Sequence, residues 1–134
     1  MSLLQGKRIL VVEDEPIIAF ALEDTLLGLE CDEVRVVTRV PHAMSAVTNE
    51  VFDAAVLDVN IHGEQSYGIA SELERRGVPF IFATGYGDSV HPPKFQASPT
   101  LMKPYSSTDV ERCLSLAIAE RRGQAHRSTE AAYH

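Results

Sequence analysis

Five short apolar runs, each followed by a segment of a different character, limit what this chain can fold into. Arg8-Ile-Leu-Val-Val12 is β-branched and apolar on both faces, the pattern of a strand covered on both sides. After it, Ile18, Ala21, Leu22, Thr25, Leu26 and Leu29 recur at helical spacing. Pro16 suits the first turn of that helix, and Gly28 lies near its end. Val34–Val37 predicts a second strand, and Pro41–Asn49 a short helix with Ala43, Met44 and Val47 as its apolar stripe. Asp53–Leu57 predicts a third strand, and Glu64–Arg76 a helix stopped at Gly77 by a glycine cap. Val78–Ala83 predicts a fourth strand and Pro99–Met102 a short fifth. Between those two, His91-Pro92-Pro93 argues against a regular helix. Thr108–Arg122 carries Val110, Cys113, Leu114, Ala117 and Ile118 on one face, with Ser107 or Thr108 as its cap.

Strands alternating with helices across short connections build βαβ units, and hence a mostly parallel sheet covered on both faces. The chain has 134 residues, the size of one domain. Residues 123–134 read as a polar, aperiodic tail with no output domain after residues 1–122. The sequence has 45% hydrophobic and 23% charged residues, the balance of a soluble protein. It has no apolar run near the roughly 18 residues of a membrane span and no leader-like N-terminus, so a cytoplasmic location without membrane contact is expected. A net charge of −7 disfavours binding to a nucleic-acid backbone. Cys31 and Cys113 form no CxxC pair and read as reduced, partly buried thiols, and the five histidines show no metal-ligand spacing.

In an open α/β sheet, ligands bind beyond the carboxyl ends of the strands. The residues there are Glu13, Asp14 and Glu15 after the first run, Asp58 and Asn60 after the third, Thr84 and Gly85 after the fourth, and Lys103 and Pro104 after the fifth. Singly, each has an ordinary explanation as a helix-start charge or a turn former. Together they make chemical sense. Carboxylates from two strand ends repel unless a cation joins them. Hard oxygen ligands suit Mg²⁺ (or Mn²⁺), which also takes phosphate oxygens. A carboxylate can attack phosphorus to give an aspartyl phosphate, while a lysine and a hydroxyl hold the transferring oxygens.

These stretches, Ile9-Leu-Val-Val-Glu-Asp-Glu-Pro16, Val56-Leu-Asp58, Thr84-Gly85 and Lys103-Pro104, resemble the receiver domain of two-component response regulators over roughly residues 7–121. Pro79-Phe-Ile-Phe-Ala-Thr-Gly-Tyr86 further resembles the stand-alone FAT GUY subgroup of bacterial receivers. The resemblance implies a flavodoxin-like (βα)₅ doubly wound parallel sheet with strand order 2-1-3-4-5. It implies Asp58 as phosphoacceptor, with Lys103 and Thr84 binding the phosphoryl group. Asp14, Asp58 and the Asn60 backbone carbonyl would ligate the metal, with Glu13 acting through water. The Lys103–Pro104 bond is expected to be cis. The implied partners are a sensor histidine kinase as donor and an output protein, in a phosphorelay or switch that is not an enzyme beyond its own phosphotransfer and dephosphorylation.

One departure stands out. Many receivers carry an aromatic three residues before the lysine, where this chain has Thr100, leaving Tyr86 or Tyr105 as candidates for a sensing role. Among rival readings, a haloacid-dehalogenase-type phosphatase needs an aspartate two residues after the nucleophile, where Asn60 stands. A flavodoxin needs a Ser/Thr/Gly-rich phosphate loop where Glu13-Asp14-Glu15 stands. A degenerate receiver serving only as a protein-binding module is the remaining alternative.

Overall fold

The first apolar run forms strand β1 (Arg8–Val12), an interior strand of the sheet, paired in parallel with β2 (Glu33–Val37) on one side and β3 (Ala54–Asp58) on the other. The computed structural model describes residues 3–85 and 91–132, with side chains as far as Arg121. Beyond β3 come β6 (Phe80–Thr84) and β7 (Thr100–Met102), also parallel. The sheet order is β2-β1-β3-β6-β7. Counting only these five strands, that is 2-1-3-4-5, the flavodoxin-like doubly wound arrangement.

Strand alternation sends side chains to two cores. Leu10, Val12, Ala55, Leu57 and Phe82 face α2 (Val40–Asn49) and α3 (Tyr67–Arg75), which contribute Ala43, Val47, Ile69 and Leu73. Ile9, Val11, Ala54, Val56 and Ile81 face α1 (Pro16–Gly28) and α4 (Ser107–Ala132), which contribute Leu22, Leu26, Val110, Leu114 and Ile118. The apolar positions that shape the strands in sequence are thus the ones that clamp helices onto both faces. Cys31 is buried and Cys113 half-buried, both free thiols.

The glycine cap after α3 forms as a two-bond closure: Gly77, at φ +74°, donates to the Glu74 carbonyl and Val78 donates to the Leu73 carbonyl. Three local features differ from the sequence expectation. Helix α3 begins at Tyr67, not Glu64, because Glu64–Gln65 (β5) pairs antiparallel with Asn60–Ile61 (β4) in a small hairpin. Its two-residue turn, His62-Gly63, has φ of +49° and +82°, the geometry that suits a tight hairpin and that glycine tolerates. The cap of α4 is Ser106. Its hydroxyl accepts the Asp109 N–H (3.1 Å) while the Asp109 carboxylate accepts the Ser106 N–H (3.0 Å), a reciprocal box one residue earlier than expected. Helix α4 continues through Ala132 instead of giving way to a tail at residue 123. Once a helix exists each added residue gains a bond, and the alanines, Gln124, Arg127 and Glu130 favour that extension. Between β6 and β7 the described backbone holds a single 3₁₀ turn, Pro93–Phe95.

Candidate phosphoryl and metal site

Each strand end delivers one part of the site. Directly after β1, Glu13 donates its backbone N–H to the Val37 carbonyl, so its side chain starts from a fixed point between two strands. That side chain is 2% exposed. At the end of β3, Asp58 is 6% exposed. Lys103, after β7, reaches across both: its ammonium donates to Glu13 Oε2 at 3.1 Å and to Asp58 Oδ2 at 3.1 Å. Its backbone N–H donates to the Thr84 carbonyl at 2.9 Å, which ties the lysine to the end of β6. The Lys103–Pro104 bond is cis.

Asp14 lies at the mouth, partly buried, and accepts the His62 N–H at 2.9 Å. The left-handed turn at His62 aims that N–H at the carboxylate, so the β4–β5 hairpin braces the site. Sequence reasoning missed this contact, although His62-Gly63 after a strand was a usable turn signal. Asn60, the first residue of the hairpin, is exposed beside it. Thr84 is 1% exposed and its hydroxyl donates to the Gly85 carbonyl at 3.3 Å. Tyr105 is half-buried and its hydroxyl is buried without a hydrogen-bond partner among the described residues. Thr100 is tied to His91 and Ser98, away from the carboxylates. Tyr86 lies outside the described residues.

The electrostatics follow from this crowding. Burial, and then repulsion from Asp58, pushes the Glu13 carboxyl up to about 7, against the opposing pull of Lys103. Burial works against the Lys103 charge, but the hydrogen bond to Asp58 and the two carboxylates outweigh it, so its pKa is raised. Burial also raises the Tyr105 phenol, with Glu13 adding to the effect. One oxygen from each of Glu13, Asp14 and Asp58 falls within 4.8 Å of the others. Three hard carboxylates at that spacing, with one lysine set against them, are a donor set that fits a small divalent cation.

Comparison with known proteins places this geometry in context. Residues 9–114 match the response regulator receiver domain. The transcriptional regulatory protein TcrA of Mycobacterium tuberculosis is 38% identical over 86 residues, covering 63% of this chain and 34% of TcrA. The chain therefore spans about a third of the length of the curated relatives that it matches. The solution structure of SdrG from Sphingomonas melonis Fr1 is 42% identical with a TM-score of 0.75, covering 88% of this chain and 98% of SdrG. The receiver domain of the sensor histidine kinase PA1611 from Pseudomonas aeruginosa PAO1, described with a magnesium ion in its active-site cleft, is 25% identical with a TM-score of 0.72, covering 85% of this chain and 98% of that domain. With the strand-end carboxylates, threonine and lysine all on one edge of the same sheet, this chain belongs to the response regulator receiver domain family.

Proposed function

We propose that this chain is a phosphorylation switch or relay that accepts a phosphoryl group from a histidine kinase on Asp58. The observation that carries the reading is the Lys103 ammonium held between Glu13 and Asp58 at the carboxyl edge of the sheet. Asp58 is the nucleophile: one Oδ forms a bond to phosphorus as the bond from phosphorus to the donor's imidazole nitrogen breaks, and the freed imidazole takes up a proton from water. Lys103, already within reach of Asp58, offsets the charge on the transferred oxygens. Thr84 turns its hydroxyl from the Gly85 carbonyl toward the new phosphoryl group, a short rotation for a side chain at the neighbouring strand end. Asp14, Asp58, the Asn60 carbonyl and, through water, Glu13 would hold Mg²⁺ or Mn²⁺. The bound ion would supply charge neutralisation for the phosphoryl oxygens.

A donor can approach from the α1 side. A groove of about 670 Å³ leads to Lys103 past Ile17, Ile18, Ala21, Gly85 and Tyr105. Ile17, 85% exposed, offers apolar contact at its rim, and Phe20 on the same helix is also exposed. Readout passes to a partner protein, and the chain's own chemistry is limited to self-phosphorylation and dephosphorylation. Among the described residues no helix is long and apolar enough to cross a membrane. Assignment to the FAT GUY subgroup and a cytoplasmic site of action complete the reading.

Incubation with Mg²⁺ and acetyl phosphate, or with a phosphorylated histidine kinase, tests it. The wild type should gain an acid-stable, hydroxylamine-labile label that Asp58→Asn loses. An unlabelled wild type, or a labelled variant, overturns the proposal. An undiminished ability to bind partner proteins without any label would favour the binding-module alternative.

A further inference from the structure

His91 is 7% exposed, a buried imidazole against Phe82 of β6 and Thr100 of β7. Four elements close around it. Phe82 of β6 lies against the ring at 4.6 Å between centroids, and Tyr67 at the start of α3 meets it edge-on at 5.7 Å. Phe95 of the 3₁₀ turn stacks on Tyr67 and packs against Phe82. Thr100 of β7 completes the enclosure.

The polar contacts of this pocket run in one direction. Thr100 has one hydroxyl hydrogen, and it donates that to the Ser98 carbonyl at 3.0 Å. Toward His91 it therefore accepts, so the hydrogen of the ring sits on Nε2, 2.9 Å away. In a neutral ring Nδ1 is then an acceptor, matched by the Tyr67 hydroxyl at 2.7 Å. All three contacts are satisfied by one tautomer of the neutral ring. A second proton, on Nδ1, would force the Tyr67 hydroxyl to turn its hydrogen out of this contact, and would place a charge in a pocket walled by aromatic rings.

We propose that Tyr67, His91 and Thr100 form a proton-sensitive latch at the strand end that carries Thr84. It is closed while His91 is neutral with its hydrogen on Nε2, and released when the ring takes up a second proton. The link to Thr84 is through strand register. Phe82 and Thr84 share one face of β6, opposite Thr100 and Met102 of β7. Lys103, the next residue, donates its N–H to the Thr84 carbonyl. A shift of Thr100 thus moves the strand pair on which Thr84 and Lys103 both sit.

Among the described residues no charged side chain faces the ring. Tyr67 from α3, Phe82 from β6, Thr100 from β7 and Phe95 from the turn are its neighbours. Lys94 on that turn pairs with Glu74 and Ser71, and Glu72 of α3 with Arg75 and Arg76. Burial holds the His91 pKa below the ordinary 6.5. The sign follows: an open state takes up the proton first, so the latch is closed at neutral pH and weakens as pH falls below 6.5.

The latch goes beyond the phosphoacceptor reading and does not depend on it, so it can be tested without any phosphodonor. Long-range ¹⁵N NMR of the whole chain, titrated from about pH 8 to about pH 4.5, follows a histidine through its charge change. The expected result is an Nε2–H tautomer at neutral pH, with the amides of Phe82, Thr84 and Leu101 shifting at the midpoint of the ring. The transition should persist in Glu13→Gln, where the carboxyl beside Lys103 no longer titrates, and vanish in His91→Gln. Tyr67→Phe keeps the packing and removes the hydroxyl that donates to Nδ1 of the neutral ring, so it should raise the midpoint by about 0.7 unit. An Nδ1–H tautomer, amides that ignore the ring, or an unmoved midpoint in Tyr67→Phe would each overturn the latch.

Discussion

The ammonium of Lys103 lies 3.1 Å from a Glu13 carboxylate that is 2% exposed, across 90 residues of sequence. It is the cation that lets Glu13 and Asp58 share a buried site in the absence of a metal. Removing one partner from such an arrangement leaves the others uncompensated. Lys103→Met should therefore destabilise the metal-free protein by about 3 kcal/mol. Urea unfolding in EDTA measures this, and an unchanged midpoint would show that the lysine is not needed to hold the carboxylates.

The Glu13 carboxyl titrates near 7 in the folded protein, against 4.5 as its ordinary value. An acid whose folded pKa is raised stabilises the fold below its unfolded pKa, and that stabilisation is lost as pH rises through the folded one. In EDTA, stability should fall between pH 4.5 and about 7, by at most on the order of 3 kcal/mol from this group. Glu13→Gln should flatten the decline. A stability that rises through this window, with the same slope in the variant, would contradict the assignment.

Glu13, Asp14 and Asp58 bring one oxygen each within 4.8 Å of the others, so a divalent cation bound there should stabilise the native state by mass action. At a Mg²⁺ concentration of 100 times Kd the gain is about 2.7 kcal/mol. Asp14→Asn keeps an oxygen for the His62 N–H and removes one like charge. It should melt at or above the wild-type temperature in EDTA and lose most of the Mg²⁺ response. A lower melting temperature in EDTA would mean that the Asp14 charge stabilises the empty pocket.

The Tyr105 hydroxyl is buried with no hydrogen-bond partner among the described residues, a costly condition for a polar group. Tyr105→Phe removes the unpaired atom and keeps the ring against the α4 core. Thermal unfolding should show a gain of up to about 1 kcal/mol. A loss of stability would indicate that an ordered water satisfies the phenol.

The Ser106–Asp109 box closes the first turn of α4. Ser106→Ala should cost about 1 kcal/mol, whereas Ser107→Ala should cost little. Denaturant midpoints of the two variants distinguish the caps, and equal losses would place the cap elsewhere.

What could be read from residues alone tracks how local the physics is. The β1 and β3 runs are buried on both faces, so their composition declares them, and the polar residue that ends each run marks the carboxyl edge of the sheet. That is why Glu13, Asp58, Thr84 and Lys103 were legible as a group. The cap of α4 was misplaced by one residue because Ser106, Ser107 and Thr108 are equally good caps by type, and only the distance to Asp109 separates them. The β4–β5 hairpin escaped because Glu64 and Gln65 have no strand character; the left-handed turn at His62-Gly63 dictates their pairing. His91 was invisible because nothing local to it reveals a pocket built from Tyr67, Phe82 and Thr100.

The wide sequence spacing of the site also bears on synthesis. Lys103 meets Asp58 across 45 residues and Glu13 across 90. Contacts so far apart form late in folding, after the loops between them have closed. A nascent chain that ends before β7 contains Asp58 without the Lys103 ammonium that pairs with it. On the phosphoacceptor proposal, competence for phosphotransfer would arise only in the finished domain, and partly folded copies would draw no phosphate from a donor.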